Sequence, residues 1–298
     1  MVNKLFEIGY FIKSVKTKLS IQGNLFNREY TKSIIREELQ KIVLYIIYNN
    51  NYNIYFMGTN LRFAYNLDRY SEDLDFSTLK NDINLNIHKL NDYLKKEFND
   101  LGFDVTTLVK EKNVKKIEIK FSKILHLLED IFVENEKIMI KVEIDINPPL
   151  SANDDNFIID TLVKAVVKHF DLPTTFAGKT AAFILRKYIK RDFYDMYWYY
   201  DKIIPYQSKV NLDYLNNNII QQNNLNNTNI PTFLSTAELS AYLIDYISSL
   251  ESKQMIMVEE DLKRFVNWDE IVLKSFIANY KSSLIEKIRL YEKKLTIS

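Results

Sequence analysis

Two aspartates one residue apart, Asp73 and Asp75, carry the most pointed chemistry in this sequence. They alternate with Leu74 and Phe76, so a strand there turns both carboxylates to one face and both apolar side chains to the other. Two ionised carboxylates side by side repel each other. A divalent cation that prefers oxygen ligands, Mg²⁺ or Mn²⁺ in its place, relieves that repulsion. Just upstream, the β-rich run Tyr52 to Met57 ends in Gly58-Thr59, and Asn60 to Leu67 reads as a helix. A strand, a Gly-Thr turn and a helix in that order offer backbone N–H groups and a hydroxyl to a phosphate chain. An isolated Asp-x-Asp is more often a pair of solvated acids. The Gly-Thr turn before it is what points to a nucleotide.

A second acidic strand is expected over Lys137 to Ile146. Ile138, Ile140, Val142, Ile144 and Ile146 make one face, and Lys141, Glu143 and Asp145 make the other. If the two strands are neighbours, three or four carboxylates meet at one edge. That number suits two Mg²⁺ ions clamping an in-line phosphoryl or nucleotidyl transfer, with a further acid to orient or deprotonate the acceptor hydroxyl. Either Glu143 or Asp145 can be the third carboxylate. The competing reading is a cross-strand ion pairing of Lys141 and Glu143.

A cationic counterpart lies later, in Gly178-Lys179-Thr180-Ala181-Ala182-Phe183-Ile184-Leu185-Arg186. Lys179, Ala182 and Arg186 stand at i, i+3 and i+7 on one helical face, a surface for a polyphosphate. The segment is not a P-loop, because the required upstream glycine falls at Pro173. Lys190-Arg191-Asp192-Phe193-Tyr194-Asp195 follows, in which Arg191 and Asp195 at i, i+4 suit a plain helix salt bridge. Arg186, Lys187, Lys190 and Arg191 form a local basic cluster able to hold the backbone phosphates of an RNA. The aromatic run Met196 to Tyr200 reads as core rather than as a base-stacking platform.

The elements that must position these residues follow from periodicity. Ser33 to Tyr48 and Ile83 to Leu101 are amphipathic helices, the second stopped by Gly102. Phe103–Val109 and Val114–Phe121 are strands joined by a turn at Lys110 to Asn113. Val15 to Leu25 is a helix or a docked arm. Asp160 to Phe170 is extended, and Leu172-Pro173-Thr174-Thr175 marks a domain junction. Strand signals then fade. Helices are expected over 177–201, 235–249, 257–266 and 270–295, with the Asn/Gln-rich run Asn216 to Asn229 as a surface loop. The fold expected is α/β (α+β): a mixed sheet with flanking helices over residues 1–175, and a mainly helical domain over 176–298.

Bulk composition narrows the classes. The 298 residues are 47% hydrophobic and 27% charged, ordinary for a soluble globular protein. The absence of cysteine excludes disulfides and thiolate metal sites, and the three histidines, His88, His126 and His169, lack zinc-ligand spacing. A net charge of +1 supplies no global field toward nucleic acid. Glu7 and Lys13 interrupt any signal-peptide core, and the apolar runs are too short to cross a bilayer. The expected setting is the cytoplasm.

Phe56-Met57-Gly58-Thr59 with Asp73-Leu74-Asp75 resembles the apolar-Gly-Gly/Ser…Asp-x-Asp signature of the nucleotidyltransferase superfamily. Arg69-Tyr70-Ser71-Glu72-Asp73-Leu74-Asp75-Phe76 is close to the form found in AbiEii-type toxins of abortive-infection and toxin–antitoxin systems. Lys179, Arg186, Arg191-Asp192 and Asp195 are similar to that family's later Lys…Arg…Arg-Asp-x-x-Asp motif. The resemblance covers roughly residues 35–205. It implies a nucleotidyltransferase α/β domain and a helical C-terminal domain with the active site between them. By the same resemblance Gly58 and Thr59 hold the triphosphate, Asp73 and Asp75 hold Mg²⁺, Lys179 contacts phosphate and Asp195 belongs to the catalytic group. Thr59 stands where Ser or Gly is commoner. The implied reaction moves an NMP from an NTP to an acceptor, with tRNA or another RNA as a candidate and a cognate antitoxin protein as a partner. Two alternatives compete: an antibiotic-modifying, small-molecule nucleotidyltransferase, and a degenerate copy of the fold acting as a binding module.

Overall fold

The computed structural model describes residues 8–22, 28–80, 85–112, 114–129, 131–186, 190–206, 208–263, 265–266 and 268–297. Positions 23–25, Ile83, Asn113 and Lys187, each part of a reading above, lie outside them. The chain divides into two compact units, Met1–Pro148 with Asp154–His169, and Pro149–Asn153 with Phe170–Ser298.

The first unit is built on a seven-stranded mixed sheet: β1 (Tyr55–Met57), β2 (Asp73–Ser77), β3 (Val105–Glu111), β4 (Val114–Phe121), β5 (Ile138–Asp145), β6 (Asp154–Asp160) and β7 (Lys164–Phe170). Their order is β3-β4-β5-β2-β1-β7-β6. β2 runs antiparallel to β1 and parallel to β5, while β4 runs antiparallel to both β3 and β5. Alternation dictates the rest. Leu74, Phe76, Ile117, Ile119, Ile140, Val142 and Ile144 are buried, whereas Asp73, Asp75, Lys116, Glu118, Lys141 and Glu143 are half-buried on the opposite side. The helices of this unit are α1 (Ile8–Gln22), α2 (Arg28–Asn49), α3 (Asn60–Tyr65), α4 (Ile87–Asp100) and α5 (Ile124–Leu128). α2 starts earlier than the Ser33 expected from periodicity.

β6 escaped the sequence pattern. It is an edge strand, most of its side chains are exposed, and its Asp154-Asp155-Asn156 start offers no apolar alternation to read. The extended stretch expected over Asp160 to Phe170 is its neighbour β7.

The second unit contains α6 (Leu172–Leu185), α7 (Lys190–Tyr206), α8 (Leu212–Asn226), α9 (Thr236–Ser248), α10 (Ser252–Leu262) and α11 (Glu270–Ile297). Two local readings need correction. Leu172-Pro173-Thr174-Thr175 is the first turn of α6, two residues past the division of the chain at His169 and Phe170, rather than a connecting segment. Asp171 caps it by accepting from the Thr174 N–H at 2.8 Å, and Pro173 sits where a helix has no use for its missing N–H. The Asn/Gln-rich run is mostly helix α8. Tyr214, Leu215 and Ile219 bury one side of it. Its amides find backbone partners in the segment that follows: Asn216 with Phe233 N and O, and Asn223 with Ile230 N and O. Met196, Trp198, Tyr199 and Tyr200 are buried, and the Phe176 ring lies 4.8 Å from that of Tyr199. The aromatic run is core.

Candidate active site

β1, α3 and β2 build the first part of the site. Gly58 follows β1 with φ +64°, a left-handed conformation that side chains disfavour. A Cβ at this position would lie 2.9 Å from Asp75 Oδ2. The glycine therefore gives both the turn and the room for the Asp75 carboxylate. Thr59 begins α3 but does not cap it with its side chain. Its buried hydroxyl lies 2.8 Å from the Asp73 carbonyl and 2.9 Å from Ser71 Oγ. The Thr59 side chain thus ties the glycine turn to the start of β2.

α2 braces the same segment from beneath. Arg62 on α3 donates from Nε to Glu37 Oε2 at 2.6 Å and from a terminal nitrogen to the Leu67 carbonyl at 2.8 Å. Gln40 donates to the Ser71 carbonyl at 3.2 Å. Burial would raise the Glu37 pKa, but Arg62, Lys41 and Lys18 outweigh it and hold the carboxyl below its ordinary range.

Register sets which residue of β5 stands beside each acid of β2. In the parallel β2–β5 ladder Asp73 stands opposite Lys141, Asp75 opposite Glu143, and Ser77 opposite Asp145. Glu143 is the neighbour of Asp75. Asp145 lies one side-chain step farther from Asp73, accepts the Asn147 N–H at 2.9 Å, and has its pKa raised by burial. Lysines meet two of the carboxylates: Lys141 Nζ is 3.4 Å from Asp73 Oδ1, and Lys116 Nζ is 2.9 Å from Glu143 Oε1. Lys141 and Glu143 thus both form cross-strand ion pairs, as the competing reading of this strand expected, Lys141 toward β2 and Glu143 toward β4.

Among the described residues no three His or acidic side chains, as placed, gather into a cage for a metal ion. Lys116, on the far side of β5 from β2, holds the Glu143 carboxylate. The donor chemistry nonetheless fits a hard dication: the set is all oxygen, and Asp73 Oδ1 is buried without a hydrogen-bond partner among the described residues.

In the second unit, Lys179 on α6 meets α7. Its Nζ lies 2.8 Å from Asp195 Oδ2 and 3.6 Å from Asp192 Oδ1. Asp192 and Asp195 stand at i and i+3, which was the available sign that they share a face. Arg186 corrects the expected polyphosphate face: α6 ends at Leu185, Arg186 is extended, and its guanidinium lies 3.8 Å from Asp192 Oδ2. Arg191 lies over the Phe265 ring at 4.6 Å, and it is Lys179 that reaches Asp195.

A strand that ends in a left-handed glycine against an aspartate, with a glutamate in register beside it, has the form expected of a nucleotidyltransferase. Residues 58–252 match the family described as Nucleotidyl transferase AbiEii toxin, Type IV TA system. The chain belongs to this family. Its AbiEii match takes in both motifs, from Gly58 through Asp195. A solved structure of an H. pylori protein, given as a candidate nucleotidyltransferase, resembles the chain with a TM-score of 0.54 and 18% identity. The resemblance covers 89% of this chain and 96% of that one, and at that identity it speaks for the fold. No protein of curated function matches. The AbiEii membership makes the chain a nucleotidyltransferase of a toxin–antitoxin family. No helix among the described residues is long and apolar enough to cross a membrane.

Proposed function

We propose that this nucleotidyltransferase is the toxin of a pair and transfers an NMP from an NTP to an RNA hydroxyl, with tRNA as the acceptor of choice. A cognate antitoxin protein would restrain it, and the cytoplasm is where NTP, RNA and antitoxin coexist. The acceptor oxygen forms a bond to the α-phosphorus, the bond from that phosphorus to the α–β bridging oxygen breaks, and pyrophosphate leaves. The observation that carries this reading is the register of Asp75 with Glu143 on two paired strands, with Asp73 one side-chain step along the same face and Gly58 against Asp75.

Asp73, Asp75 and Glu143 would hold Mg²⁺, which supplies positive charge against the triphosphate. Gly58 keeps the approach to Asp75 open, and Thr59 holds Asp73 in place through its carbonyl. Asp195 keeps Lys179 oriented, and Lys179 is assigned to phosphate.

The test is incubation with each radiolabelled NTP, Mg²⁺ and total RNA. Label in tRNA supports the reading. Label in an added aminoglycoside alone would replace it with antibiotic modification, and no transfer together with normal growth on overexpression would leave a binding module. Asp73→Ala, Asp75→Ala and Glu143→Gln should each lower transfer by at least about 10²-fold, the size of losing one electrostatic stabiliser. Asp145→Asn should retain it. If Asp145→Asn falls as far as Glu143→Gln, the choice of third carboxylate is wrong.

A further inference from the structure

β5 brings a lysine as well as a glutamate to the acidic face. Lys141 is the register partner of Asp73, and its ammonium is 3.4 Å from Asp73 Oδ1. That oxygen is buried and accepts no hydrogen bond among the described residues, so Lys141 balances its charge without saturating it. On the other side of β5 the residue in register with Lys141 is Glu118, which already pairs with Lys110. The Lys141 side chain is 35% exposed, so its ammonium has room to move.

We propose that Lys141 is a nucleotide-binding residue that doubles as a stand-in cation. Without metal it neutralises Asp73; when a metal–nucleotide complex binds, it passes from the carboxylate to a phosphate oxygen. This rests on the reading of Asp73 and Asp75 as metal ligands. An ammonium and a dication on one carboxylate repel each other. β5 fixes the Lys141 backbone opposite Asp73, so its charge cannot leave the neighbourhood. A lysine is a mobile point charge on a flexible stem, which suits an exchange of anionic partners. The triphosphate brings the negative charge that Lys141 needs after losing Asp73, and phosphate is an acceptor that lysines bind well.

The exchange has a signature of two opposite signs. Removing Lys141 removes a competitor of the bare metal but also a partner of the nucleotide. Binding of Mn²⁺ alone, followed by the electron paramagnetic resonance of the free ion, should be about fivefold to tenfold tighter in Lys141→Met than in the wild type. Binding of each NTP with Mg²⁺, measured by equilibrium dialysis, should be about tenfold weaker for the preferred nucleotide. Lys141→Arg keeps the charge and should stay near wild type for Mn²⁺. A merely structural role, or a poorly folded variant, would weaken both ligands together, and that result overturns the proposal. So does unchanged nucleotide binding, which would mean that Lys141 moves to Glu118 instead. Asp73→Asn separates the two levels. If it binds Mn²⁺ as well as the wild type does, the metal assignment itself fails. If it loses Mn²⁺ while Lys141→Met behaves as wild type, only the exchange fails.

Discussion

On the sheet of the first unit, the carboxylates of Asp73 and Glu143 are 25% and 23% exposed, and each meets one lysine, at 3.4 Å and 2.9 Å. Between α6 and α7 of the second unit, Lys179 meets Asp195 and Asp192, whose side chains are 0% and 4% exposed. Both arrangements join acids to lysines, yet water treats them differently. A half-exposed pair gains little from its attraction and loses little when it opens. A buried carboxylate that loses its cation is left without either solvent or partner. The ion pairs of the sheet are therefore the cheaper of the two to open. The acids of α7 hold Lys179 in place, so the second motif serves the fold.

Lys179→Met gives the largest test of that contrast. It takes the lysine from Asp195 and leaves Asp192 with Arg186 alone, and should cost roughly 3–5 kcal/mol in urea denaturation. The double variant Lys179→Met/Asp195→Leu should recover much of that loss, because a buried pair replaced by apolar residues is often close to neutral, while transfer stays lost. Asp73→Ala should do the opposite and lose transfer with little change in stability. Equal stability losses in Lys179→Met and Asp73→Ala would erase the distinction between the two regions.

Burial rather than membership of a unit should decide which behaviour appears, and Glu37 tests this. It belongs to the first unit but is buried, and Arg62, Lys41 and Lys18 surround it. These cations hold its folded pKa below the ordinary value of 4.5 against the opposing effect of burial. A carboxylate depressed in this way contributes stability above its unfolded pKa and loses it as pH falls through the folded value. Glu37→Gln should be about 1–3 kcal/mol less stable than the wild type at neutral pH. The gap should narrow steadily below pH 4.5. A gap that persists unchanged into acid would show that packing, not charge, makes the difference.

The parts of this molecule that were legible in its sequence are those fixed by local repetition. Leu74 and Phe76 alternate with Asp73 and Asp75, and Ile140, Val142 and Ile144 alternate with Lys141 and Glu143. One buried face was enough to orient every acid. What depends on distant partners was hidden. The choice between Glu143 and Asp145 is a matter of register between β2 and β5, which no local pattern contains. The pairing of Asp195 with Lys179 rather than Arg191 is a contact between helices. α8 looked like a loop because asparagines favour turns when their amides bond locally. Here Asn216 and Asn223 bond the backbone of a later segment instead. β6 was silent because its apolar face is short: only Phe157 and Ile159 turn to the core, after a polar Asp154-Asp155-Asn156 start.

Gly58 and Gly102 provide the finest comparison, since both adopt left-handed backbone but only one faces an acid. Gly58 has φ +64° and Gly102 has φ +87°. A Cβ on Gly58 would meet Asp75 Oδ2 at 2.9 Å, whereas one on Gly102 would meet the Ile8 Cγ2 methyl at 3.1 Å. Alanine at either position pays the same kind of conformational penalty, about 1–2 kcal/mol. The two variants should therefore lose similar stability in urea. They should part in transfer: Gly102→Ala keeps it once the protein is folded, and Gly58→Ala loses about tenfold or more, because the Asp75 carboxylate must rotate away from its place on the acidic face. Matched losses of transfer would mean that the glycine acts through the fold alone, and Gly58 would leave the list of site residues. A loss confined to Gly58→Ala would tie the turn after β1 to the position of Asp75 by a single missing methyl group.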